Sequence, residues 1–266
     1  MRHLPNLTEG YLGRAIARLQ DDSFEGALYQ WLARCFEIDN TTMLAYFQDR
    51  VPQALFTQAA ERRVHARLET DYIGGAYLLD PFHALHVDRA PAGLYRLRDI
   101  APDQFQRNEY FAVYYQATTL VDEIAYVAYP GEGVSVQICL GRDATSGRRF
   151  TARDLDCAER IAPIVCGLIE QRWSGLSSSG DFTETGLTQR LIERLRGAHG
   201  IALSPRQAEI AMLILKGHSS VSIGLRLGIS PQTVKVFRKQ LYKKCAISSQ
   251  AELFSLLMPL LAEAVA

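Results

Sequence analysis

Lysine is missing from the first 215 residues of this 266-residue chain: all five, Lys216, Lys235, Lys239, Lys243 and Lys244, lie in the last 51 positions. Long apolar runs are missing too. The best stretch, Ala251 to Ala262, is broken by Glu252 and Pro259 and falls short of the ~18 residues a membrane span needs. The opening MRHLPNLTEG has no apolar signal core, so a cytoplasmic location without a membrane partner is expected. Cys35, Cys139, Cys157, Cys166 and Cys245 are odd in number and share no CxxC spacing, which fits reduced thiols better than a disulfide frame or a zinc site. GxSxG, HExxH, Walker and GxGxxG patterns are absent, so neither an enzyme nor a cofactor is expected. His83 and His86 with Asp80 and Asp88 leave a coordination shell open, and no metal is expected.

What is present is ordinary globular material, 48% hydrophobic and 22% charged, with length for two domains. The net charge of zero hides an asymmetry. Residues 1–198 carry 21 arginines against 26 acids, a balance of −5, and residues 199–266 carry 8 cations against 3 acids, a balance of +5. A basic module joined to an acidic one places any polyanion at the tail. The Ser- and Gly-rich run 174–186 reads as a linker, giving a sensing domain over 1–175, a linker and connecting helix over 176–198, and a tail domain over 199–266.

In the first domain the spacing predicts helices over 10–20 and 23–36. The second puts Phe24, Leu28, Trp31, Leu32 and Cys35 on one face. Strands are predicted over 42–47, 123–128 and 134–140, the last alternating Val134, Val136, Ile138 and Leu140 with Ser135, Gln137 and Cys139. Pro-Gly-Glu-Gly at 130–133 joins the last two strands, and Thr151 starts a helix to about Arg172. This α+β layout resembles GAF, PAS or autoinducer-binding sensor domains.

The tail is punctuated more sharply. Ser204 and Gln207 form a capping box around Pro205, and Gly217 is placed to end that helix. Ser219 opens a short helix, Gly228-Ile229-Ser230 turns the chain, and Ser230-Pro231 opens a third helix. A fourth runs from about Gln250 to Leu261. On the third helix Val234, Phe237, Leu241 and Cys245 make an inward face, opposite Gln232, Lys235, Val236, Lys239, Tyr242 and Lys243. A solvated basic face is the plain reading of that side. In a major groove, however, Val236 can touch a thymine methyl while Lys235 and Lys239 reach guanine O6/N7 or phosphate.

These residues resemble the LuxR/FixJ/NarL helix-turn-helix family: Leu203-Ser204-Pro205-Arg206, Gly217, and Ile229-Ser230-Pro231-Gln232-Thr233-Val234-Lys235 follow its pattern over 203–254. The resemblance implies an all-α four-helix reader of double-stranded promoter DNA, with the third helix in the major groove and the fourth for dimer contacts. It makes Lys235, Val236 and Lys239 base-edge candidates and Thr233, Arg238 and Lys243 phosphate candidates, with Gln232 on the same face a further DNA-binding candidate. Phe237 stands where the family usually has His, Gln207 replaces an acid, and Gly224 replaces an Ala at up to ~1 kcal/mol of helix propensity. A homodimer is expected, with Leu253, Leu256, Leu257 and Leu260 offering apolar surface for pairing, and RNA polymerase is a further partner to consider.

Without a lysine upstream, a phosphoacceptor receiver domain is excluded, which leaves a small-molecule effector as the input. The segment 71–83 is aromatic and contains Asp80-Pro81. Sensors of acyl-homoserine lactones carry an Asp-Pro with an aromatic 15 residues on, and here Tyr95 stands at that interval. Arg67 and Asp71 replace that motif's Trp and Tyr. Carboxylates Asp80, Asp122 and Glu123 beside Tyr72, Tyr77, Phe82, Tyr95, Tyr110 and Tyr114 suggest a cationic amine held by charge and ring faces. The alternatives are an acyl-homoserine-lactone quorum regulator, and an enzyme or metal-sensor domain joined to a tail that docks on DNA or polymerase.

Overall fold

The computed structural model describes residues 8–178 and 184–265. In chain order the helices and strands are α1 (Thr8–Ala17), α2 (Phe24–Cys35), β1 (Asn40–Phe47), β2 (Gln53–Ala59), α3 (Pro81–Val87), β3 (Gly93–Arg96), α4 (Leu97–Ile100) and α5 (Glu109–Val113). Then come β4 (Leu120–Gly131), β5 (Val134–Asp143), α6 (Ala152–Arg172), α7 (Glu184–His199), α8 (Pro205–Lys216), α9 (Ser220–Leu227), α10 (Pro231–Cys245) and α11 (Gln250–Val265). They form two compact units. One takes residues up to Ala66, 88–100 and 118–180; the other takes 67–87, 101–117 and the chain from 181 onward.

The first unit is built on an antiparallel sheet in the order β2-β1-β5-β4-β3. β1 pairs with β5 along its whole length, from Asn40↔Gly141 to Phe47↔Val134. Met43, Ala45 and Phe47 therefore join Val134, Val136, Ile138, Leu140, Ile124, Tyr126 and Ala128 on one face. Against it pack the predicted face of α2 and the Ala158, Ile161, Val165 and Ile169 stripe of α6. Thr151 accepts from Asp154 N–H, and the Asp154 carboxylate accepts from Thr151 N–H, a full capping box. The alternation in β5 is present but neither face meets water: Ser135 and Gln137 are as buried as Val136. A half-buried strand would expose the polar set; a central strand of a covered sheet does not. β2 and β3 escape sequence reading because they are edges. Neither contains a fully buried residue, and β3 spans only four residues, so each lays only Leu55 and Phe56, or Leu94, partly against the core and shows little apolar alternation.

The second unit is helical. Its core comes from Leu187, Leu191 and Leu195 of α7, Ile210, Ala211 and Ile214 of α8, Ile223 of α9, Val234 and Leu241 of α10, and Leu253, Leu257 and Leu261 of α11. The predicted punctuation is in place. Ser204 and Gln207 close the capping box, Gly217 ends α8 at φ 95°, and Ser219 and Ser230 cap α9 and α10. Part of the predicted linker, residues 179–183, lies outside the described residues; α7 begins at its end. Segments 67–87 and 101–117, read from sequence as parts of the sensing domain, cluster with these helices.

Candidate nucleic-acid interface and effector cluster

α10 presents two faces. Val234, Leu241 and Cys245 are buried and Phe237 is half-buried, while Gln232, Thr233, Lys235, Lys239 and Lys243 are exposed. Val236 stands 48% exposed among the lysines. Arg238 differs from the other candidates: it is half-buried and donates to the Tyr242 hydroxyl at 3.2 Å.

Three contacts aim this helix. Arg206 donates to the Leu227 carbonyl at 2.8 Å and pairs with Glu209 at 2.7 Å, fastening α8 to the end of α9. Lys244 donates to the Ala202 carbonyl and to Gln207 Oε1, each at 2.9 Å, fastening the end of α10 to the start of α8. The third is Gly224. A Cβ there would stand 2.7 Å from the Ile229 carbonyl oxygen, so the α9–α10 turn closes against a bare backbone. Sequence alone scores this glycine as a propensity cost, whereas the structure requires it. The sequence marks Arg206 as a motif position and Lys244 as a charge but neither contact, because each reaches a backbone carbonyl in another part of the chain.

The α11 expectation needs correction. Leu253, Leu257 and Leu260 are buried within the unit and Leu256 is half-buried, since α7, α8 and α5 pack against this helix. The connecting helix α7 and the upstream α5 add cover that the tail helices alone do not supply.

Six of the nine effector candidates come together in this same unit. Tyr72, Tyr77, Phe82, Tyr110 and Tyr114 are buried. Tyr110 stacks on Tyr114 and Tyr72 tilts against Tyr114, each with ring centroids 5.6 Å apart, and Tyr77 meets Tyr72 at 6.3 Å. Asp80 lies among them. Its Oδ2 accepts from the Tyr72 hydroxyl at 2.6 Å and its Oδ1 from Phe82 N–H at 2.8 Å, capping α3. Burial pushes its carboxyl up to about 6, against the donors Tyr72, Phe82 N–H and Tyr110. The carboxylate is thus already well supplied with donors, which removes the premise of an unpaired anion awaiting a cation. His83, missed by sequence reasoning as an effector candidate, sets its ring edge-on to Tyr77 at 4.9 Å and stacks on His86 at 6.1 Å. Burial and the neighbouring His86 hold it well below the ordinary imidazole range. Among the described residues no cluster of three or more His, Cys, Asp or Glu is arranged to hold a metal.

Tyr95, Asp122 and Glu123 belong to the sheet unit. The Tyr95 hydroxyl donates to the Pro91 carbonyl at 2.7 Å. Asp122 accepts from Phe150 N–H and Glu123 N–H at 3.1 Å each, so it ties β4 to the start of α6. Arg67 and Asp71, at the two motif positions noted above, pair with each other, and Arg67 also donates to the Val113 carbonyl at 2.7 Å.

Residues 202–257 match the family described as bacterial regulatory proteins, luxR family. A protein of Aeromonas salmonicida described as an HTH-type transcriptional regulator in the exeN 3′ region is 30% identical over 185 residues, 67% of this chain and 93% of that one. The VqsR LBD domain from Pseudomonas aeruginosa has a similar fold, with TM-score 0.55 and 27% identity over 65% of this chain and 99% of that one. Escherichia coli SdiA aligns over 95% of this chain and 98% of its own at TM-score 0.41 and 15% identity.

Proposed function

From the premise that the chain belongs to the luxR family of bacterial regulatory proteins and is a DNA-binding transcriptional regulator, we propose that α10 reads promoter DNA in the major groove under control of a small effector. The exposed Lys235-Val236-Lys239 face carries this reading, on a helix whose opposite side is locked into the core. Lys235 and Lys239 take guanine edges, Val236 a thymine methyl, and Gln232 a neighbouring base. Thr233, Arg238 and Lys243 take phosphates that set register. The protein works in the cytoplasm as a homodimer on two half-sites. Footprinting on promoter DNA tests this: two protected half-sites about one helical turn apart are expected, and a single asymmetric site bound by a monomer defeats the dimer.

The effector reading rests on the aromatic cluster around Asp80. A small molecule with an N–H group and an apolar body suits it, the N–H taking Asp80 as acceptor in place of a tyrosine hydroxyl. Amines satisfy this, and so does the neutral amide of an acyl-homoserine lactone, the second reading, which the Asp80-Pro81 step favours. A thermal-shift series with both classes separates them. A ligand at a hundredfold excess over its Kd should stabilise the protein by about 2.7 kcal/mol.

A further inference from the structure

Where α8 ends and α9 begins, the backbone has polar groups that no helix satisfies. A segment more than a hundred residues earlier satisfies them. Gln104 N–H donates to the Gly217 carbonyl at 2.9 Å. Asn108 Nδ2 donates to the Leu215 carbonyl at 3.3 Å. Asp103 Oδ1 accepts from the N–H of Ser219, the N-cap of α9, at 2.9 Å. The fit is close: a Cβ on Gly217 would stand 2.7 Å from Asn108 Nδ2 and 3.0 Å from Phe105 Cα, and Phe105 is buried.

The position of Asp103 gives this contact a meaning. In a helix-turn-helix the first helix crosses the DNA backbone, and helix N-termini are anion sites that take phosphate oxygens. In this chain α9 is that first helix, and the N–H of its N-cap residue Ser219 already holds a carboxylate. Desolvation works against the charge of Asp103, but the hydroxyl and N–H of Ser219, its own N–H and nearby His218 outweigh it and hold the carboxyl below its usual range. The clasp also touches the effector cluster. Asn108 caps α5 by accepting from Phe111 N–H at 2.7 Å, and two residues on, Tyr110 hydrogen-bonds to Asp80.

We propose that residues 103–108 are an autoinhibitory clasp in which Asp103 holds, at the α9 N-terminus, the place of a DNA phosphate, and that movement of Tyr110 at the effector cluster opens it. The clasp deepens the DNA-reading proposal and rests on it. The full chain, with a random-sequence duplex of about 30 base pairs at low salt as probe, supplies the test. Asp103→Ala removes the carboxylate, and Asp99→Ala removes the same charge four residues earlier without touching the turn. Asn108→Asp keeps the acceptor that caps α5, loses the donor to Leu215, and adds a negative charge. Opening the clasp should tighten duplex binding about five- to tenfold in both Asp103→Ala and Asn108→Asp. Charge alone would tighten the first and weaken the second. Asp103→Ala tightening no more than Asp99→Ala, or Asn108→Asp weakening binding, overturns the clasp.

Amide exchange judges the contact without DNA. The Ser219 and Gln104 amides should be protected in the wild type, and Ser219 should exchange at least about tenfold faster in Asp103→Ala. Unprotected wild-type amides overturn the contact itself. Protected amides in a chain whose variants all fail to bind duplex would instead overturn the DNA-reading assignment, and the inhibitory role with it.

Discussion

On the outer face of α10 Gln232, Lys235, Lys239 and Lys243 point away from the protein, whereas around Asp80 the polar side chains point at one another. Lys235, Lys239 and Lys243 are exposed and have no ion-pair partner among the described residues. Asp80 takes the Tyr72 hydroxyl, Phe82 N–H and the Tyr110 hydroxyl within one buried knot. Both regions belong to one compact unit, so the contrast is one of design. A surface meant for a polyanion can leave its cations solvated at little cost, because each phosphate contact releases condensed counterions. A half-buried carboxylate walled by aromatic rings must have its donors before any ligand arrives. An incoming effector therefore exchanges hydrogen bonds at Asp80 and does not neutralise a bare charge.

The largest effect that can break this contrast is on α10. Lys235→Ala with Lys239→Ala should cost promoter binding roughly 2–6 kcal/mol, from about 1–3 kcal/mol for each base contact, with folding unchanged. Fluorescence anisotropy across a salt series measures it, and the salt slope should fall if either lysine meets a phosphate instead. An unaltered affinity would make this face a solvated one.

Next comes the turn that aims α10. Ala at 224 gains up to ~1 kcal/mol of helix propensity, but its Cβ would stand 2.7 Å from the Ile229 carbonyl oxygen. Backbone cannot give as a side-chain tip can, and overpacking of this kind costs about 1–3 kcal/mol. Gly224→Ala should therefore lower stability in urea unfolding. A stabilised variant would show that propensity wins and that the turn has room.

The knot around Asp80 yields a pH signature of somewhat smaller size. Its folded carboxyl is raised from 3.8 to about 6. The protonated form hence contributes stability that is full below the unfolded value and is lost as pH rises through about 6. At about 1.36 kcal/mol per unit, reduced for a half-buried group, this is about 1–2 kcal/mol. Between pH 4 and pH 7 the wild type should lose that much more stability than Asp80→Asn, whose amide does not titrate. Parallel pH profiles for the two proteins would mean that Asp80 is ordinary, and the contrast with α10 would lose one side.

What the sequence discloses follows from how local the cause is. Ser204-Pro205, Gly217 and Ser230-Pro231 act within three or four residues, so the four tail helices were legible, and so was the outward set on α10. The capping at Thr151 and the apolar face of α2 were legible for the same reason. Contacts of long sequence separation were not. Nothing near Asn108 says that it will meet Leu215, and nothing near Leu253 says that α5 and α7 will cover α11. The effector candidates were collected by residue type alone, and residue type does not distinguish Asp80, knotted among tyrosines, from Asp122, which fastens a strand to a helix.

Val236 gives the smallest and most discriminating effect. A residue 48% exposed between two lysines contributes little to the core, so Val236→Ala should change folding stability by less than about 0.5 kcal/mol. If its methyls lie against a thymine methyl, the same substitution removes apolar burial worth about 0.8 kcal/mol per carbon when fully covered, or somewhat under 1 kcal/mol for a partly covered side chain. The loss should depend on sequence, present on the preferred half-site and absent when the contacted thymine is replaced by uracil, which lacks the methyl. Loss of stability with unchanged binding would place Val236 with the inward residues. Equal loss on thymine and uracil duplexes would leave Val236 as a spacer between two lysines, and α10 would then read guanines and phosphates alone.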